Sequence, residues 1–297
     1  MPNADYMANQ PELQWKMRGI LVDWLIEVHG KFRLLPETLF LAVNLVDRFL
    51  SLRTISLVKL QLVGTTALFV ASKYEEVICP SVQNFLYMAD GGYGDEEILG
   101  AERYLLQTLD FNLSYPNPIH FLRRISKADN YDIQTRTVAK YFMEISCVDH
   151  KMLHLKPSLI AAGAAWLARL VLDRGEWVRP RPSHALSAAR ADAIADRIFF
   201  VSLPPLQNAN LVHYSSFSEE ELLPAAQLMV NYILRPAEKQ AECFVKKYAS
   251  KKYMKASTYV QDWAVTRYTG DGLRSNAPRG GELAYDVKMT EEENGAW

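Results

Sequence analysis

The stretch MRGILVDWLIEVHGKF, residues 17–32, predicts the helix around which the rest of the chain is organised. It contains no proline, and its apolar residues surround a helical wheel instead of forming one stripe. A helix that is apolar nearly all round lies inside a protein or spans a membrane. Asp23 and Glu27 interrupt the run, whereas a bilayer needs about 20 mostly apolar residues. The stretch therefore predicts a central helix surrounded by others, with a surplus apolar side that can serve as a docking surface.

Length and composition set the broad class of the protein. The chain has 297 residues, of which 49% are hydrophobic, which suits about two domains with sizeable cores. The net charge of −1 gives no overall attraction to nucleic acid or to an anionic membrane. The cysteines at positions 79, 147 and 243 match no metal-ligand spacing and predict reduced thiols in an intracellular protein. No secretory signal or transmembrane run is recognisable in the sequence.

Apolar residues recur at helical spacing along most of the chain, and almost nothing is typical of a strand. Gly64 and Gly163 lie in two alanine-rich helices 99 residues apart, which predicts an internal duplication of a five-helix unit. The predicted helices cover residues 17–32, 36–50, 60–76, 82–88, 95–109, 118–127, 135–148, 157–172, 218–234 and 238–268, the last with a break near Ser250.

Two segments do not fit this helical pattern. Residues 178–207 are rich in proline, alanine and arginine, and they separate two helices whose connection normally needs about 2–8 residues. The segment begins with valine, whose codons start with GT, and ends with glutamine, one of whose codons ends with AG. We therefore interpret it as a translated, unspliced intron and a non-native insertion. Residues 269–297 are polar and glycine-rich, which predicts a disordered tail.

Several motifs in the same order resemble the cyclin box. They are MRGILVDWLIEVH from residue 17, NLVDRFLS from residue 44, LQLVGTTALFVASKYEE from residue 60 and ILGAERYLLQTLDF from residue 98. Three further stretches, PELQWKMRGILVDWL, HYSSFSEEELLPAAQLM and KKYASKKYMKASTYVQDWA, are similar to the G2/mitotic B-type cyclins. The resemblance covers residues 1–177 and 208–268.

The resemblance implies an all-α fold of two tandem five-helix cyclin folds preceded by a short N-terminal helix. Residues 1–16 would form the N-terminal helix or arm, and residues 17–115 the N-terminal cyclin box. Residues 116–268 would form the C-terminal cyclin fold, which carries the insertion at 178–207.

Members of this family have no catalysis of their own, so the resemblance implies a protein that is not an enzyme and needs no cofactor. They bind a cyclin-dependent serine/threonine kinase and activate it, here at the G2/M transition. The positions that match the family's kinase interface are Val70, Lys73, Tyr74, Glu75, Glu102, Leu106 and Leu113. A charged run such as Lys73–Glu76 at a helix end is otherwise typical of a solvated surface, because lysine suits the negative end of the helix dipole.

The same resemblance implies a docking patch for short Arg-x-Leu motifs in substrates and inhibitors. The residues at spacing i, i+3, i+4 and i+7 would receive the leucine, Glu27 would meet the arginine and Gln61 would border the groove. From spacing alone, these four residues are more typical of a core face. They are Met17, Ile20, Leu21 and Trp24.

Arg18 and Asp47 each lie in very apolar surroundings, where a charge needs a partner. The family pairs these two positions in a salt bridge, so the resemblance implies a structural role for them.

Other signals are weaker. His150 and His154 have the spacing of two metal ligands on a helix, but nothing nearby completes a zinc site. The glycines of residues 91–94 lack the lysine of a phosphate-binding loop. Lys246, Lys247, Lys251 and Lys252 form a basic patch with two tyrosines, which we interpret as a solvated helix face rather than a nucleic-acid site.

An A-type or other cell-cycle cyclin is the alternative within the class, and a DNA-binding transcription factor with cyclin folds is the alternative outside it. The near-neutral charge argues against the second. We expect no nucleic-acid or membrane partner, and a location in the nucleus and cytoplasm. The destruction box of full-length mitotic cyclins has no exposed match here, so the sequence makes no prediction about timed degradation.

Overall fold

A computed structural model describes residues 1–174 and 209–268. The predicted insertion at 178–207 and the predicted tail at 269–297 lie outside these described residues. Within them the chain forms twelve α-helices and no strand, which confirms the all-α prediction. The helices are α1 (Trp15–Phe32), α2 (Pro36–Leu52), α3 (Leu60–Glu75), α4 (Val82–Met88), α5 (Asp95–Thr108), α6 (Pro118–Ser126), α7 (Ile133–Val148), α8 (Pro157–Val171), α9 (Ala209–Ser215), α10 (Glu219–Ile233), α11 (Glu242–Ala249) and α12 (Ala256–Tyr268).

Helices α1 to α5 form a first five-helix unit with α3 at its centre. Helix α3 packs against α1, α2, α4 and α5, and every residue of α3 from Leu62 to Ser72 is buried. Gly64 permits the close approach to α1, since a Cβ atom placed there would lie 2.6 Å from Cδ1 of Leu21. The alanine, glycine and threonine content of α3 thus has a packing cause.

Helices α6 to α10 form a second unit with α8 at its centre. Helix α8 packs against α6, α7, α9 and α10, and Gly163 brings it close to Ala225 of α10. Asp132 caps α7 by accepting from the backbone N–H of Thr135, which is why α7 begins two residues before the predicted start. Ser218 and Glu221 form a capping box at the start of α10.

The prediction of the second unit was wrong in one respect. Its fourth helix is the short α9, which was absent from the predicted helices. The segment predicted as its fifth helix, 238–268, lies beyond the unit and forms α11 and α12, with the predicted break at Ser250. Seven residues span only about two helical turns, which is too short for a clear helical period.

Helix α1 lies between the two units instead of at the centre of one. It contacts α2 and α3 of the first unit on one side, and α7 and α11 on the other. This position explains why α1 carries apolar residues on more than one side, because helices from both units cover it, while the side with Ile20 remains exposed. Trp15, at its first residue, stacks on His150 of the second unit with ring centroids 4.4 Å apart.

The N-terminal arm forms a short 3-10 helix, Tyr6–Asn9, which packs on α2. Gln10 is buried, and its side-chain amide donates to the carbonyl oxygens of Leu50 and Arg53 at 2.8 and 2.7 Å. Because these carbonyls end α2, where no backbone donor of the helix remains for them, the arm completes the hydrogen bonding of that helix end.

The interpretation of the basic patch as a solvated helix face was wrong for one of its four lysines. Lys246, Lys251 and Lys252 are exposed, but Lys247 is nearly buried and donates to both carboxylate oxygens of Glu144 at 2.7 and 2.8 Å. Tyr248 is also buried and donates to the same carboxylate at 2.8 Å. Glu144 lies on α7, so this network holds α11 against the second unit.

Candidate functional site

The first candidate surface lies where the C-terminal end of α3 meets α5. The Lys73 ammonium donates to the two carboxylate oxygens of Glu102 at 2.8 and 2.9 Å, and it lies 4.0 Å from the centre of the Phe69 ring. Their side chains are 43% and 13% exposed, so solvent or a partner reaches the pair from one side. The structure therefore brings together two residues that are 29 positions apart in the sequence.

The surroundings of this pair include apolar side chains exposed to solvent. Tyr74 is 56% exposed, and Val77 and Ile78 in the following loop are 99% and 85% exposed. Phe111, between the predicted contacts Leu106 and Leu113, is 67% exposed. Exposed apolar groups that lie close together mark interaction sites. Val77, Ile78 and Phe111 were absent from the predicted interface, although their position beside predicted residues could have indicated them.

The remaining predicted members of this surface are less accessible. Val70 is buried in the core, whereas Leu106, Leu113 and Glu75 are half-buried. Burial raises the pKa of the Glu75 carboxyl, and the Glu37 carboxylate raises it further. Glu76 accepts hydrogen bonds from the backbone N–H of Leu35 and the hydroxyl of Thr38, so it fixes the end of α3 against the start of α2.

The second candidate surface is the outward side of α1. Ile20 is 63% exposed, and Met17 and Trp24 are half-buried. Leu21 differs from these three, because it is only 6% exposed and its side chain fills the space above Gly64. Leu21 belongs to the contact between α1 and α3, and it can form at most the floor of a patch.

Polar groups border this second surface. Glu27 is exposed and forms an i,i+4 ion pair with Lys31 at 3.0 Å. Gln61 is exposed, and its side-chain oxygen accepts from the Tyr93 hydroxyl at 3.5 Å. Tyr87 of α4 is also largely exposed, and it was not among the predicted residues of this surface. An exposed isoleucine and an exposed carboxylate about two helical turns further along α1 suit a ligand that carries an apolar and a basic group.

Arg18 and Asp47 form a buried bidentate pair. Nε and Nη2 of Arg18 each donate to one oxygen of Asp47 at 2.7 Å, and both side chains are 1% exposed. Nη1 donates to the carbonyl oxygen of Cys147 at 2.8 Å, and Tyr6 donates its hydroxyl to Asp47 at 2.9 Å. Although burial alone would lower the pKa of Arg18, the Asp47 carboxylate raises it, so the guanidinium stays charged. The pair therefore links the N-terminal arm, helices α1 and α2 of the first unit, and helix α7 of the second unit.

No group of three or more histidine, cysteine, aspartate or glutamate side chains in residues 1–174 and 209–268 is arranged to hold a metal ion. His150, one of the two histidines at metal-ligand spacing, stacks on Trp15. Over the same described residues, none of the helices has both the length and the hydropathy that crossing a bilayer requires.

Both units match domain families of known proteins. Residues 1–114 match the family described as "Cyclin, N-terminal domain", and residues 116–262 match "Cyclin, C-terminal domain". The chain belongs to the cyclin family. The expected tandem arrangement of two cyclin folds is therefore confirmed.

Curated relatives of this cyclin include G2/mitotic-specific proteins. The chain is 60% identical to G2/mitotic-specific cyclin cdc13 of Schizosaccharomyces pombe and 54% identical to G2/mitotic-specific cyclin-B of Emericella nidulans. Each match covers 89% of this chain and 48% of the relative, so this chain spans about half the length of the curated relatives it matches. The predicted resemblance to the B-type cyclins is confirmed.

A solved structure shares the fold at much lower identity. The viral cyclin from herpesvirus saimiri has a TM-score of 0.58 and 18% identity to this cyclin, over 75% of this chain and 86% of the viral chain.

Proposed function

We propose that this cyclin is the regulatory subunit of a cyclin-dependent serine/threonine kinase, which it binds and activates to drive the G2/M transition. The observation that carries the proposal is the Lys73–Glu102 pair, exposed at the rim of an apolar surface in a chain related to G2/mitotic-specific cyclins.

The geometry suits recognition of another protein's backbone. An ammonium group has three donors and a carboxylate has about four acceptor sites, so the Lys73–Glu102 pair leaves unused capacity on both partners. One N–H of Lys73 and further lone pairs of Glu102 can bond to peptide groups of a kinase. Because the Lys73 and Glu102 side chains already restrict each other's rotation, little side-chain conformational freedom is lost when the kinase binds.

Activation follows from a population shift, because the cyclin binds the active arrangement of the kinase more tightly than the inactive one. The apolar residues around the pair would pack on the kinase C helix and hold it inward. The glutamate of that helix then pairs with the lysine that positions the ATP phosphates, and the activation loop is reordered. ATP, Mg²⁺ and the chemical step belong to the kinase.

The test is co-purification with a cyclin-dependent kinase together with phosphorylation of a histone substrate. Lys73→Ala plus Glu102→Ala should remove binding and activation. The matched control is Lys59→Ala plus Glu97→Ala, which deletes another exposed ion pair, 2.7 Å long, at the opposite end of α3 and α5. Full activation by the first double variant would overturn the interface.

We also propose that the outward side of α1 docks Arg-x-Leu motifs of substrates and inhibitors. Ile20, Met17 and Trp24 offer the apolar contact, and Glu27 offers the carboxylate. A peptide with the motif should bind the parent chain, and Trp24→Ala should abolish binding without loss of kinase activation on a substrate that lacks the motif. Equal binding of an Ala-x-Ala peptide would contradict this assignment.

A further inference from the structure

The Lys73 ammonium contacts an aromatic ring as well as a carboxylate. Its nitrogen lies 4.0 Å from the centroid of the Phe69 ring, one helical turn earlier on α3, while it donates to both oxygens of Glu102 at 2.8 and 2.9 Å. A cation at this distance over an aromatic face is attracted by the negative charge density of the ring. Two groups of the fold therefore hold the ammonium, although the Lys73 side chain is 43% exposed.

The Phe69 ring is itself fixed by the core of the first unit. Phe69 is only 3% exposed and meets Phe85 of α4 edge to face, with ring centroids 5.2 Å apart. Phe85 is 1% exposed and meets Phe32, the last residue of α1, in the same way at 5.1 Å. Edge-to-face pairs restrict ring orientation beyond what burial alone requires. Rings from three helices thus support the ammonium from the buried side.

A fixed ammonium is an advantage in a binding site. A lysine that moves freely loses many rotamers when it docks, and this loss of entropy opposes binding. The Phe69 ring and Glu102 remove part of that freedom before a partner arrives. A partner that covers the pair also excludes water, which makes the attraction between ammonium and ring stronger in the complex than in the free chain. Both effects favour the complex.

We propose that Phe69 is a positioning residue of the kinase interface, whose ring aims the Lys73 ammonium so that Lys73 and Glu102 together meet the backbone of the kinase. The inference rests on the kinase-binding function proposed above and adds to it a buried residue that acts through Lys73. A leucine at position 69 would also bury apolar surface, but it would offer no negative face to an ammonium.

The alternative role of the contact is to stabilise α3 alone. Residues four positions apart on a helix are neighbours, and lysine stems often cover apolar groups. The two roles predict different effects of weakening the contact. A purely stabilising contact would change the free energy of unfolding and leave the affinity for the kinase unchanged. A positioning ring would change the affinity and leave unfolding almost unchanged.

The test replaces Phe69 in the full chain with phenylalanines that carry one, two or three fluorine atoms on the ring. Fluorine withdraws charge density from the ring face and changes the ring volume little, so the core packing is retained. Isothermal titration calorimetry measures the affinity for a purified cyclin-dependent kinase, and calorimetric melting measures stability. Affinity should fall with each fluorine, to a loss of about fivefold at three, because a desolvated cation–ring contact is stronger than an exposed one by this factor or more.

The same fluorinated residues at Phe85 are the matched control. Phe85 belongs to the same aromatic cluster, but it packs on the rings of Phe32 and Phe69 instead of on an ammonium. Fluorination of Phe85 should therefore leave the affinity for the kinase unchanged. An equal loss of affinity on fluorination of either ring would assign the effect to core packing and would refute the positioning role.

A second readout uses the free chain. In protein labelled with carbon-13 lysine, the ring current of Phe69 should move the Hε resonance of Lys73 upfield of those of other exposed lysines, and Phe69→Leu should abolish this shift. Lys59, which pairs with Glu97 at 2.7 Å, should keep its resonance in both chains. Absence of the upfield shift in the parent would refute the ring contact, whatever the kinase does.

The outcomes separate this inference from the proposed function. If Lys73→Ala plus Glu102→Ala removes kinase binding while three fluorines at Phe69 leave the affinity of the parent, the interface stands and the positioning role is refuted. If the parent chain binds no cyclin-dependent kinase, the proposed function fails and the inference fails with it.

Discussion

Two ion pairs of this cyclin use the same chemistry in opposite surroundings. Arg18 and Asp47 meet where the arm and the two units join, and both side chains are 1% exposed. Lys73 and Glu102 meet at the rim of the first unit, where the ammonium is 43% exposed. Burial makes the first pair costly to break, because the remaining charge loses its partner without regaining water. The second pair stabilises the fold little, since solvent screens it.

The comparison separates structural residues from functional ones. A charged pair that the fold needs is buried, bidentate and bonded to further groups, as Arg18 is to the Cys147 carbonyl. A charged pair that the fold does not need, placed beside exposed apolar side chains, is available to a partner. Four predictions test this contrast, in order of the expected change in the free energy of unfolding.

Asp47→Ala should cause the largest change, a loss of about 3–5 kcal/mol in the free energy of unfolding, because it leaves Arg18 charged and buried. Chemical denaturation measures the loss. Asp262→Ala, at an exposed position of α12, serves as the control. A loss below about 1 kcal/mol, the range of surface pairs, would show that the buried pair is not structural.

Glu144→Gln should cost about 2–3 kcal/mol, because it removes the charged acceptor of Lys247 and Tyr248 while it preserves the volume of the side chain. Glu242→Gln removes a fully exposed pairing on the same helix and should leave the denaturation midpoint unchanged. Equal midpoints for both variants would refute the importance of the buried network.

His29→Gln tests burial through pH. Burial lowers the pKa of His29 to about 3, with a smaller effect of Lys247, whereas an unfolded histidine titrates near 6.5. Below pH 6.5 the unfolded chain therefore binds a proton that the folded chain does not, and stability falls as the pH falls. The parent should lose about 2 kcal/mol from this group between pH 7.5 and pH 5. The variant should lose that much less, whereas His154→Gln, at an exposed histidine, should follow the parent.

Lys73→Ala plus Glu102→Ala should change the free energy of unfolding least, by less than about 1 kcal/mol. The same variant should lose most kinase activation. It should therefore combine a small loss of stability with a large loss of activation, the reverse of what we expect for Asp47→Ala. Thermal denaturation and phosphorylation assays on one preparation check both. Severe destabilisation by the double variant would place this pair in the structural class.

Local patterns in the sequence were sufficient to predict most of the fold. Helical periodicity and small-residue helices indicated the two units, and the apolar surroundings of Arg18 and Asp47 indicated that each charge needs a partner. Helix α9 escaped prediction because seven residues span only two helical turns, too few for a clear period.

The contacts that shape the surfaces depend on distant partners, which no local pattern contains. The spacing of Met17, Ile20, Leu21 and Trp24 does not reveal that Leu21 alone faces Gly64. Likewise, Lys247 has the same local sequence as a solvated lysine, and only Glu144 on α7 distinguishes it. Asp23 interrupts an apolar run in the sequence, and only the position of α11 shows that the Asp23 carboxylate caps the start of that helix.

The most direct test titrates a purified, inactive cyclin-dependent kinase with this chain and measures phosphate transfer from ATP to a histone substrate. We expect no transfer by the chain alone, transfer that saturates at one chain per kinase, and none with the Lys73→Ala, Glu102→Ala variant. Transfer by the chain without kinase, or kinases that stay inactive at every ratio, would contradict this expectation.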